Sequence, residues 1–204
     1  MRGFFITVEG CDGAGKSTLV NAMEEYLKES NTSYVRLSML PQGPIRDIVL
    51  SDASLTPLQR AVLIATAGDQ AMRDVRKAVD EGKLVLMDRG LDSFYAYQGY
   101  GYGLLKEVEV ILNSIYTNAV TPDLTLFIDA DVELIKKRMA DRGEAKDVIE
   151  SMDDAFHERV YGGFKARMIE DTDLRFYILD ANDKPKVMAN DACLRLEWLI
   201  EAYD

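Results

Sequence analysis

The run Gly10-Cys11-Asp12-Gly13-Ala14-Gly15-Lys16-Ser17, followed by Thr18, constrains this chain more than any other stretch. Its spacing is G-x-x-x-x-G-K-[ST], that of a phosphate-binding loop. The flanks supply the setting such a loop needs. Phe4-Phe5-Ile6-Thr7-Val8 ahead of it reads as a buried strand, and Ser17 to Leu27 behind it as a helix. Strand, glycine turn and helix start bring unpaired backbone N–H groups and the positive end of the helix dipole to one point. Gly13 and Gly15 let the backbone turn tightly and approach an anion closely. Lys16 is placed to reach terminal phosphates, and the Ser17 hydroxyl suits Mg²⁺. Residues Gly10, Cys11, Asp12, Gly13, Ala14, Gly15, Lys16, Ser17 and Thr18 are therefore the expected nucleoside triphosphate site.

A chain of 204 residues is long enough to bury a sheet on both faces within one domain. The formal net charge of −11 argues against a grip on the backbone of DNA or RNA, though it leaves room for a local basic pocket. Two cysteines, Cys11 and Cys193, are too few for a disulfide framework and suit a reducing compartment. The apolar start resembles a signal peptide, but it ends at Glu9 and runs into the phosphate loop, so it reads as a core strand. No segment approaches the roughly 18 to 20 apolar residues that span a bilayer. A soluble, cytoplasmic protein is expected.

Strand and helix patterns alternate along the chain. Residues 34–37, 83–88, 124–129 and 176–180 read as further strands, and 83–88 is apolar on both faces, as a central parallel strand should be. Helices are expected over 45–50, from Thr56-Pro57 to Glu81, over 104–118, 132–140, 151–171 interrupted or bent near Gly162-Gly163, and 184–202. The expected fold is α/β: a five-stranded parallel sheet with helices on both faces and ligands at the carboxyl ends of the strands. Residues 141–149 are charged and contain Gly143, which suits a lid over the site.

Further motifs specify the kind of phosphate-loop enzyme. Asp88-Arg89 ends a strand and is followed by Ala96-Tyr97-Gln98-Gly99. Pro122-Asp123-Leu124-Thr125 leads to Asp129, Arg142-Gly143-Glu144 lies in the lid, and Asp180-Ala181 comes late. In order and over nearly the whole chain, these resemble the thymidylate kinases, whose loop E-G-x-[DE]-G-A-G-K-[ST] matches Glu9 to Ser17. The resemblance implies ATP as donor, Mg²⁺ as cofactor, a deoxynucleoside monophosphate as acceptor and a homodimer. It assigns Asp12, Lys16, Arg89 and Arg142 to catalysis, and Ser17 and Asp88 to the metal. Arg36 and Arg46 fall where the family grips the acceptor phosphate. Ile64, Gly68, Ser93, Phe94, Tyr97 and Gln98 fall in the acceptor site, with Tyr97 under the deoxyribose. Part of the family carries an arginine where this loop has Gly13, so the missing charge is expected from the lid, at Arg142 or Lys146. His157 receives no catalytic role, because direct phosphoryl transfer needs no imidazole.

The acceptor side departs from the family. Over Leu63 to Gln70, Ile64 stands where the family stacks a phenylalanine on the base, and Gly68 where an arginine reads the base edge. Phe94 replaces a small polar residue. Several such changes together imply retained transfer to a deoxypyrimidine monophosphate with relaxed or redirected base selectivity. A deoxynucleoside kinase, a kinase of a modified deoxyuridylate and a kinase acting on a base within DNA remain alternatives. A GTPase needs an N-K-x-D motif that Asn182-Asp183-Lys184-Pro185 does not supply.

Overall fold

A computed structural model describes residues 2–116, 119–143 and 145–203. Five strands form one parallel sheet: β1 (Phe5–Glu9), β2 (Tyr34–Ser38), β3 (Leu84–Asp88), β4 (Leu124–Asp129) and β5 (Phe176–Asp180), in the order β2-β3-β1-β4-β5. Every pairing is parallel. β1 is buried along its whole length, whereas β2 at one edge is only half-buried. This gradient explains why β1 and β3 read as unbroken apolar runs. Pairing of Val8 with Asp88 on one side and Leu126 on the other puts the loop after β1 between the ends of β3 and β4. That is the crevice where connections diverge to opposite sides of the sheet, and where such folds take ligands.

The helices are α1 (Lys16–Glu29), α2 (Pro44–Ser51), α3 (Pro57–Asp80), α4 (Leu91–Phe94), α5 (Leu105–Ile115), α6 (Val132–Arg142), α7 (Asp154–Glu170) and α8 (Pro185–Tyr203). α3 starts at a capping box. Thr56 Oγ1 accepts from Gln59 N at 3.2 Å, and Gln59 Oε1 accepts from Thr56 N at 2.9 Å, with Pro57 next. α5 stops at Ile115, short of the expected Asn118; residues 117 and 118 lie outside the described residues.

Two features depart from the sequence reading. Residues 95–101 form a π-helical turn, Tyr95–Gly101, continuous with α4 and largely buried. Single π-helical turns are uncommon and concentrate at functional sites. α7 is not broken at Gly162-Gly163. Helix continues through both, and a Cβ on Gly163 would lie 2.9 Å from Tyr100 Cβ and 3.0 Å from Ala96 Cα. The glycine therefore serves close packing of α7 on the π-helical turn rather than an interruption. The expected lid begins as helix, because α6 continues to Arg142 and ends at Gly143 in the left-handed conformation. Beyond it, Asp147 Oδ1 accepts from Ile149 N and Glu150 N, both at 2.8 Å, and Val148 N donates to Leu50 O of α2 at 3.0 Å.

Candidate active site

The loop after β1 turns through positive φ at Gly10, Gly13 and Gly15, and α1 begins at Lys16. A cleft of about 460 Å³ opens over it. Lys16 is 7 % exposed and folds over the loop, its Nζ donating to Cys11 O at 2.7 Å. Burial, joined by repulsion from Arg89, lowers the Lys16 pKa to about 8. Cys11 is buried beneath the loop and its thiol is pushed up to about 12 by burial, so it fills space as an inert thiol.

At the end of β3, Arg89 adopts φ 62°, a left-handed conformation that a side chain adopts only under constraint. Its guanidinium spans the cleft floor. Nη1 donates to Gly10 O at 3.0 Å and to Ser93 Oγ at 3.1 Å, and Nη2 donates to Asp12 Oδ1. Tyr97, on the π-helical turn, donates from Oη to Asp12 Oδ2 at 2.8 Å, and its ring lies 4.9 Å from the Arg89 guanidinium carbon. Burial opposes ionisation of Asp12, but Arg89 and Lys16 outweigh it and hold the carboxyl well below its usual range. Asp12, Arg89 and Tyr97 form one preorganised unit touching the phosphate loop.

Beneath this unit lies Glu9, which sequence reading gave no role. Gly90 N donates to its Oε1 at 2.7 Å and Ser93 Oγ donates to its Oε2. The carboxyl thus grips the turn that carries Arg89. Burial, reinforced by Asp92, raises its pKa to about 7. Between its ordinary value of 4.5 and about 7, the native state holds a proton that the unfolded chain has released, so this group's contribution to stability falls as pH rises through that window. Glu9→Gln keeps the shape and removes the titration. Urea denaturation from pH 4.5 to 7 should show the variant gaining on the parent as pH rises; a constant difference would refute the assignment.

Asp88 and Ser17 both face the cleft, and Asp88 Oδ1 is a buried oxygen without a hydrogen-bond partner. An unpartnered carboxylate oxygen and a hydroxyl beside a phosphate loop fit Mg²⁺, which takes few protein ligands and completes its shell with water and phosphate. Among the described residues no cluster of three His, Cys, Asp or Glu side chains forms a cage for a metal.

Most residues expected at the site meet in this one cleft. Gly13, Gly15 and Thr18 line it with Lys16 and Ser17, while Gly10, Cys11 and Ala14 form the loop beneath. Arg46, Ile64, Ser93, Phe94, Tyr97 and Gln98 line the same cleft. Arg46 is anchored by donating from Nη1 to Leu40 O at 3.0 Å. Arg142 also faces the cleft, with Nη2 donating to Glu150 Oε1 at 2.9 Å and Oε2 at 3.0 Å. Lys146 is exposed and outside the cleft lining; Glu144 lies outside the described residues.

Two expectations are corrected. Arg36 does not reach the cleft. It projects from β2 toward α1, where Nη1 donates to Asn21 Oδ1 at 2.9 Å and pairs with Glu24 Oε2 at 2.7 Å. Ser38, on the same face of β2 but at its carboxyl end, does line the cleft, so Arg36 misses it by lying two residues, roughly 6–7 Å, short of that end. Gly68 is buried but does not line the cleft, because the volume a side chain would need there is already occupied. Sequence reading also missed Arg138, which lines the cleft and joins two loops. Its Nη1 donates to Ala14 O at 2.6 Å and its Nη2 to Ala181 O at 2.5 Å. Its spacing of four from Arg142, on one helix face, was the available signal.

The thymidylate kinase family matches residues 8–192. A thymidylate kinase of Exiguobacterium sp. strain AT1b is 38 % identical over 209 aligned positions, covering 98 % of this chain and 96 % of the relative. Thymidylate kinases of Caldanaerobacter subterraneus subsp. tengcongensis and Desulfovibrio desulfuricans are 37 % and 35 % identical, covering 88 % of both chains in the first case, and 98 % of this chain and 95 % of the relative in the second. Among the described residues no helix is long and apolar enough to cross a membrane.

Proposed function

We propose that this chain, which belongs to the thymidylate kinase family of phosphotransferases, moves the γ-phosphoryl group of ATP onto the 5′-phosphate of a deoxypyrimidine monophosphate, dTMP first among them. The observation that carries this reading is the joining of Asp12, Arg89 and Tyr97 into one unit between the phosphate loop and the acceptor end of the cleft. An acceptor phosphate oxygen attacks the γ-phosphorus, the bond to the bridging oxygen breaks, and ADP leaves with that electron pair. Such transfer calls for alignment and charge neutralisation rather than covalent help. Lys16 balances the donor phosphates. The planar fork of Arg89 spans the two phosphates that must be brought together, and Asp12 holds that fork in place. Arg142 exchanges Glu150 for the transferring group and supplies the charge that Gly13 cannot. Arg138, fixed against Ala14 and Ala181, borders the donor nucleotide, and Arg46 draws in the acceptor phosphate. Bound Mg²⁺ would neutralise the β- and γ-phosphates, with Ser17 and Asp88 holding it.

Tyr97 packs where a 2′-hydroxyl would collide, which favours deoxynucleotides. The base end is walled by Met39, Leu40, Leu50, Ile64 and Phe94, and Gln98 Oε1 is a buried acceptor without a partner there. A single amide reads fewer base-edge features than an amide with an arginine, and apolar walls discriminate by only about 1–3 kcal/mol per methylene. Base selectivity is therefore relaxed in this proposal. Steady-state kinetics across dTMP, dUMP, dCMP, dGMP and dAMP, with thymidine as a further acceptor, should give kcat/KM for dUMP within about a hundredfold of dTMP and no turnover of thymidine. Strict dTMP selectivity would remove the relaxed-base component, and thymidine turnover would favour a nucleoside kinase. The assembly we propose is a homodimer; exposed Leu58 and Val62 on α3 and Val110 on α5 support it.

A further inference from the structure

Gly68 follows Ile64 by one helical turn on α3, yet only Ile64 reaches the cleft. A Cβ on Gly68 would lie 2.3 Å from Tyr116 Oη, 2.5 Å from Met39 Cε and 2.7 Å from Met39 Sδ. Tyr116 arrives from the C-terminal end of α5 and is 6 % exposed. Its Oη donates to Ala65 O, left in the body of α3, at 2.8 Å. Its ring meets Phe94 edge-on, with centroids 6.4 Å apart and planes at 62°. Phe94 and Met39 are both walls of the acceptor end. Tyr116 itself is absent from the cleft lining, so it stands one layer behind them.

We propose that Tyr116 is a positioning residue that determines which acceptor bases the cleft admits. Its phenol takes the volume that a side chain at position 68 would fill. From there it presses Met39 and Phe94 forward as the base wall, and the bond to Ala65 O fixes its depth. Buried interiors are close-packed, so a wall residue holds its place only while something stands behind it. Removing the ring leaves a void into which Phe94 and Met39 relax, deepening the pocket on that side. The inference rests on the reading above that this end of the cleft receives a nucleobase.

The experiment compares the parent with Tyr116→Ala, Tyr116→Leu and Tyr116→Phe, using ATP with dTMP, dUMP, 5-ethyl-dUMP and 5-iodo-dUMP. For alanine and leucine, kcat/KM for the bulkier 5-substituted acceptors relative to dTMP should rise about tenfold, through the acceptor KM. The KM for ATP should stay within about twofold, a separation that general loosening of the fold would not produce. Tyr116→Phe keeps the ring behind the wall and should hold the parent's ratios. Unchanged acceptor ratios in folded Tyr116→Leu would overturn the proposal, as would equal shifts in the KM for ATP. If both truncations fail to fold, Tyr116→Met provides the same readout, because a flexible chain fills most of the volume without the rigid ring or the bond to Ala65 O; unchanged ratios there overturn the proposal equally. Failure of the parent to phosphorylate any deoxypyrimidine monophosphate would instead defeat the functional reading, and the parent's own assay shows it.

Discussion

Replacing Arg89 with alanine is expected to lower kcat by roughly 10³ to 10⁵, the range that a charge-stabilising arginine supplies in phosphoryl transfer. The loss exceeds that of an ordinary ion pair because the guanidinium is already held by Gly10 O, Ser93 Oγ and Asp12 before any substrate arrives. Preorganised charge acts without reorganisation during the reaction. Arg89→Lys retains the charge but not the planar fork, and should recover little of the activity. Arg89→Gly separates catalysis from folding. It removes the same side chain while relieving the left-handed backbone at φ 62°, so it should be about 1 kcal/mol more stable than Arg89→Ala and equally inactive. Single-turnover rates and urea denaturation of the three variants check both halves. Activity of Arg89→Ala within tenfold of the parent would remove Arg89 from the reaction.

The second large effect is expected at Lys16. Its Nζ lies over the loop on Cys11 O, and its burial keeps it within the reach of donor phosphates. Lys16→Ala should lower kcat by roughly 10² to 10³, as removal of one transition-state charge donor does. The fold should persist, because the deleted amine makes one bond to a backbone carbonyl and its burial penalises its own charge. An unchanged thermal midpoint with transfer lost in a coupled ADP assay is the expected pair of results. Undiminished turnover would take Lys16 out of the mechanism.

The phosphate-loop fold was legible because phosphate chemistry fixes both residue type and spacing. Glycines at 13 and 15, an amine at 16 and a hydroxyl at 17 are demands of one anion, independent of what surrounds them. Asp88-Arg89 and Tyr97 were legible for a similar reason, as a strand end and a motif meeting that loop. The rest of the cleft lining depended on how distant segments pack. Arg36 and Arg46 look equivalent in the sequence, but Arg36 sits mid-strand, where Asn21 and Glu24 of α1 engage it, while α2 presents Arg46 to the cleft. The emptiness of position 68 is filled from position 116, a pairing no local pattern announces. The π-helical turn lacks both the 3.6-residue and two-residue periods by which helices and strands are recognised. The glycine pair at 162–163 read as a helix breaker, since a sequence does not reveal that Tyr100 and Ala96 stand against it.

The backbone bond from Val148 to Leu50 has a thermodynamic consequence. Leu50 belongs to α2, which also carries Arg46, while Val148 follows Arg142, and both arginines line the cleft. In the proposed reaction the two nucleotides would touch segments that are tied to each other. To the extent that one nucleotide shifts α2, the lid shifts with it, and whatever free energy couples them must act equally in both directions. Order of addition then becomes a matter of rates alone, because at equilibrium each nucleotide changes the other's affinity by the same factor.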